Sequence, residues 1–139
     1  MRTCISLLVV LATLPGCDKD EDDAVDRGVA LKAAYLDALC AAASDPACVT
    51  DDATCAFQPY ASVEACESVV NVSFSDCPNL WVPLSEVEAE VEACVAALES
   101  LTCGAEGLCD ADGYSVLPLP ECEVVVDLQG LWCEGADTF

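Results

Sequence analysis

Ten cysteines, Cys40, Cys48, Cys55, Cys66, Cys77, Cys94, Cys103, Cys109, Cys122 and Cys133, run through the last hundred residues of this 139-residue chain. The two others, Cys4 and Cys17, belong to an apolar N-terminal stretch. An even set at this density reads as a disulfide framework of five bridges, and such frameworks form in oxidising compartments. Each bridge stabilises a small domain by about 2–4 kcal/mol, chiefly by restricting the unfolded chain. Metal ligation is the competing use of so many thiols. No C-x-x-C occurs, the chain has no His, and at least five residues separate successive cysteines of the set. Those spacings exclude zinc ribbons, thioredoxin-like redox pairs, c-type haem attachment and ferredoxin-type clusters. Which cysteine pairs with which is not deducible from spacing.

The N-terminus explains the odd pair. Arg2 is followed by an apolar run from Cys4 to Leu14, then by Leu14-Pro15-Gly16-Cys17 and the acidic stretch Asp18-Lys19-Asp20-Glu21-Asp22-Asp23. The run is too short to span a hydrocarbon core, which needs roughly 20 residues of helix. Neither Leu11-Ala12-Thr13 nor Leu14-Pro15-Gly16 supplies the small residues of an ordinary secretory cleavage site. Residues 1 to about 18 resemble the signal peptides of bacterial lipoproteins, with Leu14, Gly16 and Cys17 matching the lipobox. That resemblance implies a diacylglycerol on Cys17, cleavage before it and acylation of its amine. It implies an exported protein anchored in the cell envelope, facing the periplasm or on the outer-membrane surface. The expected organisation is a signal over 1–16, a lipidated cysteine and acidic tether over 17–23, and a cysteine-rich helical domain over 24–139.

Charge narrows the partners. After the signal, Lys19, Arg27 and Lys32 stand against all 26 acids of the chain, and no basic side chain follows Lys32. Nucleic acid is excluded, because its binding proteins draw affinity from Lys and Arg displacing phosphate counterions. The acidity reads first as a strongly hydrated surface and second as an attraction for divalent cations or a cationic peptide. Extended by self-repulsion, six residues after Cys17 would hold the domain at most about 20 Å from the membrane.

Helical periodicity dominates the domain. A first helix is expected over 24–43, capped by Asp22 or Asp23, with Val25, Val29, Leu36, Cys40 and Ala43 within about 60° of one another, and Asp45-Pro46 as its stop. A second is expected over 59–71, with Val63, Cys66 and Val70 on one side. A third follows Pro83: Ser85 and Glu88 form an S-x-x-E capping box, and Val87, Val91, Cys94, Val95, Leu98 and Leu101 make its inner face. Glu88, Glu92 and Glu99 lie opposite, and Gly104 supplies a left-handed stop. The last segment supports two readings. Pro120 and Glu121 suit a helix start, whereas Cys122, Val124, Val126 and Leu128 alternate as in a strand. With no partner strand in sight, helix is preferred. The fold class expected is mainly α, a small disulfide-rich bundle of three to four helices. The segments V-E-A-C-V-A-A-L-E-S-L-T-C at 91–103 and L-P-L-P-E-C at 117–122 resemble small cysteine-rich helical domains of myxobacterial-type lipoproteins. No activity follows from that likeness.

Catalytic chemistry lacks its usual carriers. Without His, and without Lys or Arg beyond Lys32, no general base, Schiff-base lysine or phosphate clamp is assigned. Paired carboxylates would need a cleft that a small bundle rarely provides. Setting Gly113 at position six of a calcium loop puts Leu108 at one and Leu119 at twelve, so Asp110-Ala111-Asp112-Gly113 reads as a turn with Asx hydrogen bonds. Trp81, Trp132 and Tyr60 read as core or disulfide-packing groups. No catalytic residue, metal ligand or cofactor is assigned. The sequence points to a structural or protein-interaction module held to the membrane through Cys17, the alternative being a weak binder of divalent cations or cationic peptides. Its partners are the membrane and another envelope protein or a cationic ligand.

Overall fold

The computed structural model describes residues 19–71, 77 and 80–132. These form five α-helices: α1 (Lys19–Ala43), α2 (Val63–Val70), α3 (Trp81–Glu86), α4 (Glu88–Glu99) and α5 (Glu123–Trp132). Short 3-10 turns at Pro46–Cys48 and Pro120–Cys122 complete the set. No named strand occurs among the described residues, only isolated bridges between Gly104 and Gly107 and between Cys109 and Ser115. The fold is a small, mainly helical, disulfide-rich bundle.

Helix α1 is its axis, with α2, α3 and α4 packed against it. It begins earlier than residue 24. Asp20, Glu21 and Asp22 occupy its first turn, where carboxylates meet the positive end of the helix dipole, so the acidic stretch is helical and Asp22 and Asp23 are not caps. Its buried surface is also broader than one stripe. Leu31, Tyr35, Leu36, Ala38, Leu39, Cys40 and Ala43 are all buried because neighbours cover several sides, while Val29 is 47% exposed. Asp45-Pro46 ends it as expected: the Asp45 carboxylate accepts from Ala47 N at 2.8 Å and Pro46 opens the following turn. Tyr60 N then donates to the Ala43 carbonyl at 2.8 Å, satisfying one of the acceptors left at the helix end.

Helix α2 starts at Val63 because Ser62 caps it, accepting from Ala65 N at 3.1 Å. Cys66 and Val70 face the core, while Val63 is exposed. The third expected helix is two. Val87 leaves helical geometry with φ −115° and ψ 32°, separating α3 from α4, and it caps α4 with no side-chain hydrogen bond. Ser85 is therefore not the N-cap expected: it lies inside α3, Val87 stands at the start of α4, and Glu88 pairs with Arg27 of α1. Val91, Cys94 and Leu98 face inward as expected. Helix α4 stops at Glu99, with Ser100 N donating to the Ala96 carbonyl, ahead of Gly104, and among the described residues the left-handed glycines are Gly107 and Gly113. In the last segment Cys122, Val125 and Gln129 are buried at the i, i+3, i+7 spacing of a helix. That settles the ambiguity of 121–132: of the three valines only Val125 is buried, as a helix requires, and among the described residues the strand period has nothing to pair with.

The bridges join these elements. Cys40–Cys66 ties α1 to α2, and Cys94–Cys122 ties α4 to the turn preceding α5. Cys48–Cys103 and Cys55–Cys109 tie the loop after α1 to the loop after α4. Cys77 is buried and disulfide-bonded. Between the two clasped loops a second, smaller core forms around the fully buried Leu108, outside the main cluster.

Candidate functional site

The sequence singled out sulfurs, and the structure engages them. Eight of the ten cysteines form the four bridges above and Cys77 is oxidised as well. Cys133, Cys17 and the signal segment lie outside the described residues. A disulfide sulfur is neither thiolate nucleophile nor metal ligand, so these cysteines serve the scaffold. Bridges in this number suit a chain that has left the reducing cytosol. Among the described residues no helix is long and apolar enough to cross a membrane.

The clasped loops hold the acidic turns. Asp110 Oδ1 accepts from Asp112 N at 2.9 Å and from Tyr114 N at 3.0 Å, the expected Asx arrangement. Gly113 at φ +85° lets the turn close, and its carbonyl accepts from Ala56 N at 2.9 Å on the facing loop. Across the clasp, Asp52 Oδ1 accepts from the Thr54 hydroxyl at 2.7 Å and from Thr54 N at 2.9 Å, which hold its carboxyl below the ordinary range. Glu64, in the first turn of α2, is lowered by a backbone N–H, its own, and by Ser62. Thr50 Oγ1 donates to the Ala105 carbonyl at 2.8 Å and closes the other end of the clasp. These carboxylates are turned to their own backbones. Among the described residues no three acids or cysteines are grouped to hold a metal ion.

Concavities lie elsewhere. A groove of about 260 Å³ runs between α1 and α2, bordered by Val29, Lys32, Leu36, Asp37 and Glu67. Partial burial lowers the Lys32 pKa there. A second cavity of about 170 Å³ opens where α1, α2, α5 and both loops meet. Tyr35, Leu39 and Ala43 present successive turns of α1 to it, Phe57 and Tyr60 close one side, and Leu117 and Val126 close another. Phe57 and Tyr60 meet edge to face, with ring centroids 6.2 Å apart. Tyr60 is thus the packing group expected, while the side chains of Trp81 and Trp132 lie outside the described set. Burial pushes the Tyr35 phenol up to about 12. Gln129, a buried polar side chain, completes the wall.

Sequence reasoning missed this cavity. Tyr35 and Leu39 carried a signal, being one turn apart and continuous with Ala43. Gln129 carried another, a polar residue seven positions after Cys122 on the face that packs inward. The loop residues carried none, since only the long-range bridges deliver them. No family model, curated protein or solved structure matches the chain.

Proposed function

We propose that the protein is a lipid-anchored, disulfide-stabilised acidic module of the bacterial cell envelope, serving a structural or protein-interaction role. The observation that carries this reading is the position of α1. A helix beginning at Lys19, just after the lipobox cysteine, and running into the centre of the bundle would link anchor and domain rigidly. Five helical residues over 19–23 rise only about 7 Å at 1.5 Å each, so the domain rides close to the bilayer rather than at the end of an extended tether. The disulfides support export, and the exposed acids support a hydrated surface that discourages non-specific association.

Intact mass of the protein recovered from a bacterial membrane fraction, before and after reduction, tests the proposal. The expected product starts at residue 17, carries the mass of its acyl groups and gains the mass of ten hydrogen atoms on reduction of five bridges. Cys17→Ser should move it to the soluble fraction. A chain intact from Met1, free of lipid and with reactive thiols, would end the reading. The second reading, weak binding of divalent cations or a cationic peptide, draws on the 26 acids alone. Thermal melting against calcium separates it, and an unchanged midpoint at millimolar calcium removes it.

A further inference from the structure

No ionised group lines the 170 Å³ cavity: none of its lining residues is Asp, Glu, Lys or Arg, in a chain with 26 acids. We propose that it binds a small neutral molecule the size of one substituted aromatic ring, apolar over most of its surface and carrying one hydroxyl or amide group toward Gln129.

The volume sets the size. An apolar cavity of about 150 Å³ admits benzene, so this one has room for a ring with a short substituent. Cross-links keep it open. Cys66 in its wall is bonded to Cys40, and the loops that supply Phe57 and Leu117 are clasped by Cys55–Cys109, so the walls are barred from the collapse by which protein interiors ordinarily fill voids.

Charge sets the class. An anion entering here would meet no cation: Arg27 pairs with Glu88, and Lys32 borders the separate groove between α1 and α2. A cation would leave water for an apolar wall with no carboxylate in it. A neutral ring loses only its apolar hydration, which favours entry. Orientation falls to Gln129, the buried side chain in the wall whose amide both donates and accepts hydrogen bonds. Tyr35 and Phe57 offer ring faces and edges for stacking on the apolar side. The proposal is independent of the lipid anchor, because every residue it uses lies within the bundle and its loops.

The test is a titration of the oxidised protein, as recovered after export, with toluene, p-cresol, p-toluate and benzylamine, followed by methyl NMR. Saturable shifts with p-cresol and toluene, centred on Leu39, Val70, Leu117 and Val126, are expected, with p-toluate and benzylammonium at least about tenfold weaker. Gln129→Leu should erase the preference for p-cresol over toluene while toluene still binds. Val126→Phe, checked by circular dichroism, should fill the space and abolish both. If that variant does not fold, the wild-type series and Gln129→Leu still decide. Absence of saturable shifts with either neutral ring, equal binding of p-toluate, shifts away from these methyls, or undiminished binding in a folded Val126→Phe would each overturn the proposal.

Discussion

Gly113 shows how much one position carries. At φ +85° it sits where side chains are strained, and a Cβ placed there would lie 2.2 Å from the Thr54 carbonyl oxygen. Gly113→Ala is expected to cost about 1–3 kcal/mol and to loosen the clasp between the two loops, measured by urea unfolding. A wild-type midpoint would contradict the contact. Tyr35 makes a pH prediction. Its buried phenol keeps its proton up to about 12, whereas the unfolded chain gives it up near 10. The stability that the neutral phenol contributes is complete below about pH 10 and is lost as pH rises through about 12. Unfolding followed by rapid pH jumps should show that alkaline loss in the wild type and a flatter profile in Tyr35→Phe. The inward cysteines Cys40, Cys66 and Cys94 were legible from helical phase alone, but the exposure of Val29 and Val63 was not, because phase ranks positions on a helix without saying how far the neighbours reach.

Helices followed their apolar periods closely, and their ends followed local chemistry where that chemistry went uncontested. Asp45-Pro46 and Ser62 set boundaries by short-range hydrogen bonds, and both act within three residues. Ser85 lost its expected N-cap position for a tertiary reason. Leu80 and Leu84 are fully buried beside α1, and seating them extends helix back across Pro83, which is tolerated in a first turn. Glu88 is then drawn to Arg27. That pair is partly solvent-exposed, so Arg27→Ala should lower stability by less than about 1 kcal/mol, and the difference should shrink in high salt. A loss of several kcal/mol in a thermal melt would show that the pair anchors the junction between α1 and α4. The last segment illustrates the converse: alternation within 122–128 imitated a strand, and helix prevailed because Cys122, Val125 and Gln129 find the core at the helical spacing.

The molecule as a whole is two cross-linked parts, a helical core holding Cys40–Cys66 and Cys94–Cys122, and a loop clasp holding Cys48–Cys103 and Cys55–Cys109. All four core sulfur residues are fully buried, whereas Cys103 of the clasp is partly exposed. Thiol exchange requires access to a sulfur, so brief reduction followed by alkylation should label Cys48 and Cys103 before Cys40 or Cys66, read by peptide mass mapping. Earlier labelling of Cys40 would show that the core opens before the clasp. The helical class, the oxidised cysteine framework and the scarcity of catalytic groups were decided along the chain, because composition and periodicity act over a few residues at a time. Bridge partners, the split between α3 and α4 and the uncharged cavity were decided only by the fold. Each depends on residues tens of positions apart, Cys48 with Cys103 or Tyr35 with Gln129, and no local pattern encodes which distant surface a side chain will meet.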